Sequence, residues 1–269
     1  MITGAQLFTV RDYTQNLEDF AETLKKVADI GYTTVQVSGA CAFEADWLKE
    51  QLQKNGLSCV ITHTNPDRIA YETEKVIEDH KTFGCNYVGL GSIPWGLGQN
   101  PAGLTAFAEI FREPAKKIKE AGLKFMYHNH GFEFEKANGV TLLERIAREF
   151  PADELGFTLD SYWVQYGGGD PAAWVEKLSG RVDCVHVKDM QYKHGKQEMA
   201  YIGEGNLNFD RFLAACEKAG TQYVLVEQDD CQGRDPFFCL KKSYEALAAM
   251  GLLISFSRSR TATTSRSSG

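Results

Sequence analysis

The stretch KFMYHNHGFEFE, residues 124–135, places His128 and His130 one residue apart at the end of an apolar run, with Glu133 three residues further on. Imidazoles and carboxylates are the side chains that bind divalent cations and move protons near neutral pH. In an extended segment alternate side chains share a face, so His128 and His130 point the same way. Comparable residues close other apolar runs. His63 follows LSCVIT and Asp160 follows GFTL. His186 lies in DCVHV ahead of Lys188 and Asp189, and Glu227 ends YVLVE ahead of Asp229 and Asp230. Singly, each has a plain structural reading. Asp160 before Ser161 reads as a helix N-cap, His186 between valines as a core histidine, and Lys188 as a partner for Asp189. Their chemistry depends on whether the fold gathers them.

The elements that would gather them recur along the chain. Eight short strand-like runs occur at 2–8, 33–37, 57–62, 86–90, 123–128, 155–159, 182–187 and 222–227. Helical patterns separate them. Over 16–30 the apolar residues Leu17, Phe20, Leu24, Val27 and Ala28 form one stripe at helical spacing. Gly31, Gly56, Gly84, Gly122 and Gly220 stand where helices must stop before the next strand. Alternating strands and amphipathic helices predict a parallel sheet. No glycine-rich phosphate turn follows the first strand, which sets aside a doubly wound sheet. Eight units in about 250 residues predict an α/β fold, a single (β/α)8 TIM barrel over residues 1–252. The Ser-, Thr- and Arg-rich stretch 253–269 is expected to be a disordered tail or foreign to the natural protein.

In such a barrel the active site lies at the C-terminal ends of the strands. Those ends carry His63 on strand three, Trp95 after strand four, and His128, His130 and Glu133 at strand five. Asp160 ends strand six, His186 and Lys188 strand seven, and Glu227 strand eight. Carboxylates packed in one mouth repel each other unless a cation sits between them. One divalent metal ion resolves the conflict. An acid-rich set with imidazole suits manganese first, then magnesium, cobalt or zinc. His80 in VIEDHKTFG, away from any strand end, is expected at the surface or a helix end.

Composition narrows the partners. The formal charge is −7, and setting aside Arg258, Arg260 and Arg266 leaves −10 on residues 1–252. Such a body repels nucleic acid. Seven scattered cysteines without a CxxC pair predict a reducing, cytoplasmic setting. No run approaches the roughly 18 apolar residues of a membrane span. Nothing in the pattern argues against a homo-oligomer.

YHNHGFEF at 127–134, FTLDSYWV at 157–164, HVKD at 186–189, IGEGNLNF at 202–209 and VLVEQD at 224–229 together resemble the xylose-isomerase-like TIM barrels. This is the sugar phosphate isomerase/epimerase superfamily, and the match is to members with an HNHxFEF motif. The resemblance implies metal ligands at Asp160, His186 and Glu227, with Glu133 as the fourth and His128 as its alternative. It also implies α-proton transfer through a metal-stabilised enediolate. Glu227 and Glu133 are then the candidate bases, His130 a proton shuttle, and Lys188 a group that polarises the carbonyl. His63, Trp95, His128, Tyr162, Trp163 and Glu204 are the residues expected to touch substrate. Glu204 lies in the polar segment 191–206, expected to form a loop over the mouth that also holds His194. No basic cluster marks a phosphate site, so an unphosphorylated sugar, keto-sugar or inosose is expected. The expected activity is a metal-dependent isomerase or epimerase. A dehydratase or keto-glycoside lyase is the enzymatic alternative, and a non-catalytic sugar-binding barrel is the other. A DNA-repair relative would need more histidines and a basic face.

Overall fold

Eight parallel strands close on themselves in chain order: Ile2–Gln6, Thr34–Val37, Ser58–Thr62, Tyr87–Leu90, Lys124–His128, Leu155–Asp160, Cys184–Val187 and Tyr223–Val226. The first pairs with the eighth, Ile2 opposite Tyr223, which completes the barrel. This computed structural model describes residues 1–99 and 101–252, so the stretch 253–269 lies outside the described residues. Each strand expected from the sequence is present, trimmed by a residue or two at some ends.

Period-two alternation sorts the strand side chains. One set faces the surrounding helices and forms the main apolar core, including Val35, Val88, Phe125, Tyr127 and Phe157. The other fills the barrel axis, where Val60, Tyr87, Met126, Cys184 and Leu225 form a separate plug. That plug supports the polar groups above it from below.

Helix Leu17–Ile30 shows how local sequence sets an element. The Asn16 side chain accepts a hydrogen bond from the Asp19 amide, and Phe20, Leu24 and Val27 are buried. Leu17, counted in the apolar stripe, opens the helix and remains exposed. Gly31 ends it at φ +122°, and a Cβ there would come within 2.7 Å of the Tyr244 ring.

The segment expected as a loop over the mouth begins as a β-hairpin, Asp189–Lys193 against Lys196–Ala200. His194 (φ 50°) and Gly195 (φ 82°) make its turn, two consecutive left-handed residues matching the strand twist. Its outer strand ends are polar on both faces, so no alternation reveals them. Asp189 ties the hairpin to the turns that follow. Its carboxylate accepts from the amides of Met190, Gly203, Gly205 and Leu207 at 2.8–3.2 Å.

His80 corrects a surface expectation. It does end a helix, Thr73–Thr82, but is only 3% exposed. Its Nδ1–H donates to the Val76 carbonyl at 2.7 Å, and Nε2 accepts from the Thr62 hydroxyl at 2.9 Å. Burial pushes its pKa down to about 4. The unfolded chain, with an ordinary value of about 6.5, takes up this proton first. Stability from His80 is therefore complete above pH 6.5 and drains away as pH falls towards 4. Between pH 7.5 and 5, wild type should lose about 2 kcal/mol more than His80→Gln in urea unfolding. Equal losses would show that His80 carries no such linkage.

Candidate active site

At the C-terminal mouth, His128, Asp160, His186 and Glu227 each offer one ligand atom, and the four atoms lie within 4.8 Å of one another. All four residues are buried. They come from strands five, six, seven and the end of eight. Strand alternation brings each side chain inward at the same height.

The surroundings of the two imidazoles decide what the group can hold. His128 donates its Nδ1–H to the Gly91 carbonyl at 2.9 Å, leaving the Nε2 lone pair facing Asp160 Oδ2 at 3.4 Å. His186 donates Nε2–H to Gln36 Oε1 at 2.7 Å, leaving Nδ1 2.9 Å from Glu227 Oε2 and 3.7 Å from Asp160 Oδ2. Neither His186 Nδ1 nor Glu227 Oε2 has an aligned hydrogen bond, despite their approach. With both rings neutral, acceptors face acceptors, a conflict that a proton on His186, the nearby Lys188 ammonium or a bound cation relieves. Burial opposes charge on His186, yet Glu227 and Asp160 raise its pKa to about 9. Each ring gives its outer N–H to an oxygen and turns the other nitrogen inward, as metal-binding histidines do. Two imidazoles and two carboxylates therefore fit a divalent ion, although the ion's identity does not follow from them.

Asp160 serves twice. Its Oδ1 accepts from the Trp163 amide, capping helix Ser161–Tyr166, while Oδ2 faces the group. The N-cap reading and the ligand reading are both realised by one carboxylate. Glu227 is similarly shared, because Gln6 Nε2 donates to its Oε1 at 2.8 Å.

Glu133, the first choice for the fourth ligand, lies elsewhere. Tyr127 Oη–H donates to its Oε1 at 2.7 Å and the His130 amide to its Oε2 at 2.8 Å. Tyr127 precedes His128 and so faces the opposite way, against Phe107 of the surrounding helix. The short turn Phe132–Phe134 carries Glu133 to that side. The structure groups the alternative, His128, with the other three. Burial raises Glu133 to about 7, against the hydrogen bonds from Tyr127 and His130.

Lys188 has no ion pair with Asp189. Fully buried, its Nζ lies 3.0 Å from Asp160 Oδ2, 2.8 Å from Glu227 Oε2 and 2.8 Å from Asp229 Oδ2. Burial works against its charge, and the three carboxylates raise its pKa regardless. Burial and Glu227 raise Asp229 to about 6, opposed by Lys188.

The remaining predicted residues divide. His63 stands beside the group, its ring centroid 5.1 Å from His128 and 5.6 Å from His186, with Nδ1 3.0 Å from Ser38 Oγ. The rings of His130 and His128 are 4.8 Å apart. His130 also lies 5.5 Å from Trp163 and stacks on Phe132. Burial, then His128, lowers its pKa to about 3. Tyr162 packs edge-on against Trp163. Trp95 stacks on Phe111, outside this ring of contacts. Glu204 pairs with Arg234 at 2.8 Å, and His194 stands at the exposed hairpin turn.

A model of the xylose isomerase-like TIM barrel family matches residues 24–249. The chain belongs to that family. An inosose dehydratase from Geobacillus kaustophilus is 22% identical over 205 residues, 67% of this chain and 63% of that relative. Among solved structures, a sugar phosphate isomerase/epimerase from Parabacteroides distasonis superposes with a TM-score of 0.79 at 23% identity, covering 93% and 94% of the two chains. An L-ribulose 3-epimerase gives 0.71 at 14%, covering 94% and 95%. At these identities the structural likeness concerns the fold.

Within this xylose isomerase-like barrel, the sequence reading missed Gln6, Gln36 and Tyr127. The available signal was a glutamine inside each of two apolar strand runs, GAQLF and TTVQV, where a buried amide needs a partner. Gln36→Leu should leave His186 without its outer acceptor and weaken manganese binding by roughly ten- to hundred-fold. Calorimetric titration of the chelated protein measures this. Unchanged affinity would show that Gln36 does not orient the ring.

Proposed function

We propose that this protein is a divalent-metal-dependent isomerase or epimerase acting on an unphosphorylated sugar, keto-sugar or inosose. The observation that carries the proposal is the convergence of His128, Asp160, His186 and Glu227 at the strand ends. A divalent ion held there would act as a Lewis acid on a carbonyl and its neighbouring hydroxyl. Glu227 takes the α-proton. Its Oε2 faces the centre while Gln6 holds its other oxygen. His130 is kept neutral by burial, which makes it a poor proton acceptor, and its partnerless Nδ1 suits a hydrogen bond to substrate better than the expected proton shuttle. Glu133 fixes the turn that carries His130 through the His130 amide. Trp163 and His63 each have a buried ring nitrogen without a partner, suited to substrate hydroxyls. Arg234 is paired with Glu204, which favours a substrate without phosphate.

A specific observation favours a lyase as the second reading. Strand five presents His128 to the group where a third carboxylate was expected, and one oxygen of Asp160 is taken up by its helix cap. That leaves Glu227 as the carboxylate base. A single base on one face suits elimination of a β-leaving group as readily as proton return. The inosose dehydratase relative agrees with this chemistry.

Incubation with ketoses and inososes in deuterated water separates the readings. An isomerase or epimerase returns solvent deuterium to carbon in a product of unchanged formula, whereas a lyase yields an unsaturated product lacking the leaving group. Glu227→Gln should lower either turnover by about a hundred- to ten-thousand-fold. No exchange or turnover on either class, with metal bound, would leave a sugar-binding barrel.

A further inference from the structure

The position of Lys188 bears on how the centre loads. Lys188 Nζ lies within 3.0 Å of three carboxylates, and its aligned hydrogen bond among these goes to Asp229 Oδ2. Two of those acceptors, Asp160 Oδ2 and Glu227 Oε2, are inward oxygens of the group that suits a divalent ion. The third, Asp229, is different. It follows the eighth strand, and its side chain is 23% exposed, against 0% for Asp160 and 3% for Glu227. The ammonium also lies 5.6 Å from the centre of the Trp163 ring.

From this arrangement, and resting on the metal reading above, we infer that Lys188 is a resident counter-cation. It competes with the metal for Asp160 and Glu227 and is displaced towards Asp229 when the ion binds. The inner oxygens cannot hold an ammonium and a dication in a buried site without strong repulsion between the two. Asp229 offers the displaced charge an acceptor, and the Trp163 face offers it a second favourable surface. Before loading, Lys188 keeps the buried acids compensated. After loading, its ammonium stands at the rim of the centre, where a substrate oxygen can meet it. Lys188 is a positioning residue in the first state and a substrate contact in the second.

Manganese titration calorimetry on the full chain after chelation, with thermal melting in parallel, tests this. Lys188→Met keeps the length of the side chain and removes the charge. It should bind manganese at least ~10-fold more tightly than wild type. Its metal-free melting temperature should fall, and manganese should raise it by more than in wild type. Asp229→Asn should weaken manganese binding, because the displaced ammonium loses its charged acceptor. If Lys188→Met does not fold without metal, it is purified with manganese and its affinity read by competition against a chelator of known affinity. Equal or weaker binding by Lys188→Met overturns the inference, since the ammonium would then stay in the loaded centre. Manganese binding by Lys188→Met alone would support it strongly. No binding by either protein would overturn the metal reading itself.

Discussion

Three acidic side chains, two of them buried, meet one buried ammonium, and much of the mouth is arranged around that balance. Removing carboxylates from solvent costs several kcal/mol each unless the charge is matched nearby. Asp160 and Glu227 are matched by Lys188 and by a histidine whose pKa rises because of them. The outer oxygens of both acids are satisfied separately, by the Trp163 amide and by Gln6. The inner oxygens are thereby left facing one point. A barrel suits this because eight strand ends converge there while the apolar plug beneath excludes solvent from the axis.

The same pleat that delivers His128 inward sends Tyr127 outward, and the consequences reach Glu133. A carboxylate only five residues beyond the strand end is drawn behind the sheet by a phenol and a backbone amide. It becomes a brace for the turn that positions His130. One residue's difference in register separates a member of the inward-facing group from a support. The softer nitrogen at this position changes the donor set as well, adding imidazole where the expectation held oxygen.

How much of this could be read from the chain follows from the range of each interaction. The eight strands and helix Leu17–Ile30 were legible because periodicity, caps and glycine stops are local. Asp160, His186 and Glu227 were legible as strand-end residues because the barrel makes strand ends neighbours. Which of His128 and Glu133 joins the inward-facing group was not, since it depends on which side of the sheet Tyr127 faces. Lys188 was read against its neighbour Asp189, whereas its partners lie 28, 39 and 41 positions away at Asp160, Glu227 and Asp229. His80 was assigned to a polar helix end because its acceptor and donor, Val76 and Thr62, come from a helix turn and a strand. The hairpin after strand seven carried no alternation at its polar end, only the His194–Gly195 pair that forms its turn.

Asp189 closes the excursion between strand seven and the following turns with a single carboxylate. It holds Met190 at the start of the hairpin and Gly203, Gly205 and Leu207 after its return. Gly205 approaches so closely that an added Cβ would lie 2.3 Å from the Asp189 side chain. The base of the excursion is therefore fixed independently of its outer part. None of the four amides that Asp189 holds belongs to residues 191–200, so the anchorage beside Lys188 draws no hydrogen bond from the outer hairpin.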